Sequence, residues 1–211
     1  LAGFSMILTI VFGVGSGVLM AVKKDRLLDH VLGTFSTVAL SVPGFWIAIV
    51  LIFIFAEQWK ILPSSGISDG SGFILPAITL ALPSIGVCAR LTRSAILDEI
   101  GRQYMTVADA KGMSRRRAVI RHAFGNALIP IITYLGNHMA GIIGGASIVE
   151  TIFAIPGIGS YAIAGVQSKD YYVVQAYVLF SGCIYVLTNI LIDLIYIALD
   201  PKIRAGEAVE S

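Results

Sequence analysis

The uncharged stretches decide most of what this chain can become. Runs free of Asp, Glu, Lys and Arg cover 1–22, 30–56, 70–89, 122–149, 151–168 and 171–192. A helix rises 1.5 Å per residue, so about 20 mostly apolar residues cross the hydrocarbon of a bilayer. An average soluble domain carries about 25% charged residues. Here the share is 13%, with 56% hydrophobic. The expected fold class is an all-α integral membrane protein. Spanning helices are expected near 4–22, within 32–56, and over 73–95, 127–149 and 172–198.

The run TIFAIPGIGSYAIAGVQS (151–168) is apolar enough to tempt a sixth assignment. It holds Pro156, Gly157, Gly159 and Gly165, with polar Ser160, Gln167 and Ser168. Pro and Gly in so short a run break a helix. We expect a re-entrant or surface hairpin packed on protein, where irregular backbone is tolerated.

Charge tests this independently, because Lys and Arg gather on the cytoplasmic side. With the loop after the first span inside, the inner segments hold thirteen of the fifteen basic residues. They are Lys23, Lys24, Arg26, Arg90, Arg93, Arg102, Lys111, Arg115, Arg116, Arg117, Arg121, Lys202 and Arg204. The outer segments hold Lys60 and Lys169. A spanning 151–168 would send Lys202 and Arg204 outside, so the five-span arrangement is preferred. It places the C-terminus in the cytoplasm.

The longest inner loop, about 96–126, is also the most charged. Ile100, Tyr104 or Met105, Val107 and Ala108 recur at roughly helical spacing. Gly112 supplies a stop and Ser114 an N-cap for a following helix. Arg115, Arg116 and Arg117 then oppose that helix's dipole. Such a misfit points to an external partner or to lipid headgroups. A loop that merely fixes topology and meets anionic lipid is the plainer reading. Topology alone does not require an Ala-Lys-Gly turn between two helices.

The same residues carry a resemblance. Thr106-Val-Ala-Asp-Ala-Lys-Gly112, then Met113-Ser114-Arg115-Arg116-Arg117, Arg121-His122-Ala123 and Asn126-Ala127-Leu128-Ile129-Pro130 look like the cytoplasmic "EAA" loop of binding-protein-dependent ABC importer permeases. The likeness is to the dipeptide/oligopeptide/nickel branch. Ser41-Val42-Pro43-Gly44-Phe45-Trp46, Leu75-Pro76-Ala77, Gly144-Gly145, Glu150-Thr151-Ile152-Phe153, Pro156-Gly157-Ile158-Gly159, Lys169-Asp170-Tyr171 and Asp200-Pro201-Lys202-Ile203-Arg204 resemble further motifs of that branch. Thr106 stands where the general motif has Glu, and the Gly-to-Pro spacing is longer, as is usual in the branch.

The resemblance implies residues 1–204 as a permease domain showing spans two to six of six, with 205–211 as a cytoplasmic tail. It implies a coupling helix over about 104–118, seated in a groove on an ATPase subunit. Tyr104, Thr106, Ala108, Asp109, Ala110, Lys111, Gly112, Arg115 and Arg116 would make that contact. Small residues permit close approach, and Lys111 and the arginines suit acidic groups or carbonyls. The implied partners are a homologous second permease, two cytoplasmic ATP-binding subunits, an extracytoplasmic substrate-binding protein and the lipid bilayer, with no nucleic acid. ATP and Mg would belong to the ATPases, and this chain would bind no cofactor. The implied location is a bacterial or archaeal plasma (inner) membrane. Nickel, free or chelated, and di- or oligopeptides both remain open as substrates.

Asn137 and His138 lie mid-span, with Gly141 beyond them. Polar groups at membrane depth face a pathway or bond between helices, and both readings stand. Glu150 is expected to brace the 151–168 hairpin. Asp193 is placed to pair with Arg90 or Arg93. Cys88 and Cys183 sit in apolar runs and read as packing residues. The alternative classes are a non-ABC channel and an intramembrane enzyme. Neither has use for the basic loop, and Gly157-Ile158-Gly159-Ser160 lacks the elbow context of a nucleophile. The chain is read as a transport subunit, not an enzyme.

Overall fold

The computed structural model describes residues 1–67, 70–102 and 123–199. All regular structure there is helical. Helix α1 covers Ala2–Val22, with π-helical turns over Thr9–Val14. Helices α2 (Leu27–Ser41) and α3 (Gly44–Gln58) meet at a sharp bend. Helix α4 runs Ile74–Ile100 and α5 runs Phe124–Gly145. Two short helices follow, α6 (Ser147–Ile152) and α7 (Ile158–Gln167), before α8 (Tyr171–Leu199).

Among the described residues, three helices are long and apolar enough to cross a membrane: α1, α4 with its preceding turn, and α8. The α2–α3 pair passes the same test jointly but bends by 101°. One span was expected within 32–56; the stretch counts as one when the pair is taken together, broken at residues 42 and 43. Proline lacks the N–H and disfavours helical geometry in the residue before it. Val42 is accordingly extended, and Pro43 becomes the residue on which α3 starts. The span expected at 127–149 is present as α5 but starts earlier and ends at Gly145. Its 22 residues carry no charge, and Asn126, Asn137 and His138 are its strongly polar side chains.

Helix α4 is the hub. Its residues meet α1 in parallel register, Gly13 against Cys88 and Gly17 against Thr92. A Cβ on Gly17 would lie 2.5 Å from Thr92 Cβ and 2.6 Å from the Ala89 carbonyl oxygen. Only glycine permits that approach. Helix α2 runs antiparallel, with Asp29 on Arg93 and the Ser36 carbonyl against Gly86. Helix α5 also runs antiparallel, Asn126 reaching Glu99 and Tyr134 reaching Ser84.

Two core clusters mark the ends of α4. At one, Ala21, Ile96, Ala123, Ala127 and Ile131 pack together. At the other, Ala48, Leu75, Val149, Phe153 and Ile155 do. The second cluster shows where 151–168 belongs. Phe153 packs beside Leu75, and its carbonyl accepts the Gly66 N–H at 2.8 Å. The segment therefore sits at the end of the bundle that carries residues 59–67, which follow α3. Its one helix, α7, has 10 residues and is too short to cross. The hairpin holds as expected, although Gly159 and Gly165 lie inside a helix rather than breaking one.

The outward surface is oily. Phe4, Ile7, Val11 and Phe12 of α1 are exposed, as are Tyr172, Leu179, Val186 and Leu191 of α8. A helix that is apolar without a buried face belongs in lipid or against another membrane subunit. Cys88 is fully buried, as expected of a packing residue, whereas Cys183 is exposed.

Candidate functional site

The expected coupling residues Tyr104, Thr106, Ala108, Asp109, Ala110, Lys111, Gly112, Arg115 and Arg116 lie outside the described residues. The structure does describe the mouth of that loop. Helix α4 ends at Ile100, and α5 begins at Phe124. The two ends are held side by side by a buried carboxylate. Glu99 Oε2 accepts a hydrogen bond from Asn126 Nδ2 at 3.1 Å, and Oε1 pairs with Arg102 Nε at 2.9 Å. Ile96, Ala123 and Ala127 close the apolar side of the same junction. Glu99 was not singled out from the sequence. Its signal was a charge at the lip of a span with an amide 27 residues on.

Deeper in the bundle, α4 and α5 share a polar seam. His138 Nδ1 lies 3.4 Å from Ser84 Oγ. Its ring stacks on Tyr134 with centroids 5.8 Å apart, and the Tyr134 hydroxyl donates to the Ser84 carbonyl at 3.2 Å. The far ring nitrogen, His138 Nε2, and Asn137 Oδ1 are buried and lack partners among the described residues. Gly141, one turn on, is exposed. The three residues expected from the sequence thus divide: Asn137 and His138 turn polar atoms inward, and Gly141 faces out.

At the Glu99 end of the bundle, α2 and α4 are joined by charge. Arg93 Nε and Nη2 contact Asp29 Oδ1 and Oδ2 at 2.7 and 2.8 Å. This corrects the expected partnership of Arg93 with Asp193, whose side chain is exposed on α8. A two-pronged guanidinium–carboxylate contact fixes orientation as well as distance.

At the opposite end, Glu150 braces the hairpin as expected. Its Oε2 accepts the Ser160 N–H at 2.9 Å, in the first turn of α7. The early N–H groups of a helix have no intrahelical partner, so a carboxylate there satisfies one and complements the dipole. The Ser160 hydroxyl in turn accepts the Gly157 N–H at 3.0 Å. A Cβ on Gly157 would overlap the Glu150 carboxylate. That is the physical reason for glycine immediately before α7.

A multi-helix membrane bundle is thus built around α4, with a clamped loop mouth at one end and a braced hairpin at the other. Such a bundle is an all-helical integral membrane protein in fold. Residues 13–205 match the model of the family described as "Binding-protein-dependent transport system inner membrane component", and the chain belongs to that family. It is 39% identical over 212 residues to a probable peptide ABC transporter permease protein, y4tP, of Sinorhizobium fredii, covering 97% of this chain and 68% of that protein. It is 34% identical over 200 residues to the glutathione transport system permease protein GsiC of Escherichia coli (strain K12), covering 95% and 65%. The chain therefore spans about two thirds of the length of these relatives. In fold it is similar to a chain of the inward-facing MetNI methionine ABC transporter, with a TM-score of 0.76 at 16% identity, covering 94% of this chain and 91% of that one.

Proposed function

We infer that this chain forms half of the substrate pathway of an ATP-driven importer and carries peptide-like substrates. The observation that bears most weight is the family match over 13–205, joined to a peptide permease relative at 39% identity. Glutathione, named for the second relative, is itself a tripeptide, so both point to one substrate class. Nickel finds no such support.

In this reading residues 1–204 act as one permease domain beside a homologous second permease. An extracytoplasmic binding protein delivers substrate, and two cytoplasmic ATPases hydrolyse ATP with Mg. This chain performs no hydrolysis itself. The end of the bundle bearing Lys23, Lys24, Arg26 and Arg102 faces the cytoplasm, as does the C-terminus, by the charge rule. Residues 104–118 dock in an ATPase groove, with Lys111, Arg115 and Arg116 meeting acidic groups and Ala108, Ala110 and Gly112 allowing close approach. Tyr104, Thr106 and Asp109 complete the contact. ATP then biases a two-state shift in access. Asn137, His138 and Gly141 are assigned to the path, where Asn137 Oδ1 and His138 Nε2, without partners among the described residues, offer transient contacts.

The test is uptake of a labelled dipeptide, glutathione and radioactive nickel in cells with and without this subunit. Loss of dipeptide or glutathione uptake is the expected result, and loss of nickel uptake alone would overturn the substrate class. In the same cells, Lys111→Glu or Gly112→Pro abolishes uptake while the protein stays in the membrane. Normal uptake with either variant would sink the coupling assignment.

A further inference from the structure

A cavity of about 370 Å³ opens between α1, α2 and α4 at the Arg93 end of the bundle. Its polar wall holds Arg90, Arg93, Asp29, His30, Thr34 and Thr37. Asp29 is spent on Arg93, which it contacts through both carboxylate oxygens. A guanidinium has five N–H donors, so Arg93 retains others. Arg90 is exposed and forms no ion pair among the described residues. Two guanidinium groups against one carboxylate leave the wall positive. The adjoining turn adds Lys23, Lys24 and Arg26 against Asp25. The Thr34 hydroxyl has no hydrogen-bond partner among the described residues.

The second observation is what flanks this wall. His30, Thr34 and Thr37 form one stripe of α2. The next stripe, Val31, Phe35 and Val38, is apolar, and each of the three is more than half exposed. It runs from the charged end towards the bend at Pro43, into the depth of the membrane. A cationic pocket at the end of a span, opening onto an exposed apolar stripe, repeats the layout of a phospholipid.

We propose that this cavity is a binding site for an anionic glycerophospholipid of the inner leaflet. The phosphate meets Arg90 and the free donors of Arg93, Thr34 adds a hydroxyl, and an acyl chain lies along Val31, Phe35 and Val38. Arg and phosphate form charge-assisted, paired hydrogen bonds, and basic pockets at the cytoplasmic edge of helices select anionic headgroups. Zwitterionic lipid offers the same phosphate with a cation attached and binds less well. The long stem of Arg90 reaches the headgroup layer from within the span.

The test is native mass spectrometry of the full-length protein in its purified native assembly. The probes are phosphatidylglycerol, phosphatidylcholine and inorganic phosphate, each titrated separately after delipidation. Phosphatidylglycerol is retained over phosphatidylcholine, and Arg90→Ala lowers that retention about fivefold, the worth of one basic residue at a membrane surface. Arg90→Lys keeps most of it, and Thr34→Val gives a smaller loss, with assembly unchanged in both. Equal retention by wild type and Arg90→Ala would overturn the site. So would equal retention of the two lipids, or displacement of lipid by millimolar phosphate, which marks a free-anion site. Loss of a co-purifying subunit from Arg90→Ala and Thr34→Val alike also overturns it, because the cavity is then a protein interface.

Discussion

The Asp29–Arg93 contact makes a quantitative prediction about how α2 is held to α4. Both guanidinium–carboxylate contacts are under 3 Å, and the Asp29 side chain is 5% exposed while that of Arg93 is 32% exposed. Breaking a fully buried pair costs about 3–5 kcal/mol, because the remaining charge is stranded. Exposed pairs are worth about 0.2–1 kcal/mol. This pair lies between the limits, since Arg93 is able to turn to solvent or headgroups while Asp29 is not. Asp29→Asn keeps the shape and removes the charge, and we expect it to cost about 1–3 kcal/mol, or roughly a 5- to 150-fold shift in the unfolding equilibrium. Arg93→Gln strands the more deeply placed carboxylate and costs at least as much. The double variant Asp29→Asn/Arg93→Gln recovers part of the loss, giving a coupling of about 1 kcal/mol or more. The assay is detergent-titrated unfolding of the full-length chain in micelles, followed by helical circular dichroism. A coupling under about 0.3 kcal/mol, within ordinary additivity error, would refute the reasoning and make the pair incidental to packing.

Other expectations follow from single positions. Gly17→Ala pushes a methyl into Thr92 and the Ala89 carbonyl and lowers stability by about 1–3 kcal/mol, whereas Gly3→Ala, with open space around it, leaves the unfolding midpoint near wild type. Ala154 sits at φ 50° in the turn after α6. A left-handed non-glycine costs about 1–2 kcal/mol, and glycine returns about 0.5–1 of that as entropy. Ala154→Gly should therefore raise stability by about 0.5–1 kcal/mol in a thermal-shift measurement. His138→Ala, measured as uptake against membrane protein level, should lower uptake more than abundance; equal losses would restrict the residue to packing on Ser84 and Tyr134.

The sequence revealed elements whose cause is local, and missed those set by register. Span lengths follow from runs of apolar residues, so α1, α4 and α8 were legible. The hairpin was legible because Pro156-Gly157 and the basic-residue count both opposed a span. Pro43 was visible, yet its run was long enough to cross in one piece, and nothing local says how far a helix turns after a break. The sequence offered Asp193 as a partner for Arg90 or Arg93, and nothing local pointed to Asp29. The choice of Asp29 over Asp193 depends on α2 lying antiparallel against α4. Glu99 and Asn126 form their bond only once both helix ends are side by side.

Helix α4 ties these ends together as a single rod. Its 27 residues give it a length of about 40 Å. The Leu75 end is packed into the hairpin and the Glu99 end into the loop mouth. Over that length a tilt of one degree moves the far end by about 0.7 Å. A rotation of only a few degrees at the loop mouth would shift Leu75 and its neighbours by the width of a methyl group. Inside this lever Pro83 lacks the N–H that would stiffen the turn. The stiffness of α4 on either side of Pro83 therefore sets how much of a displacement at one face arrives at the other.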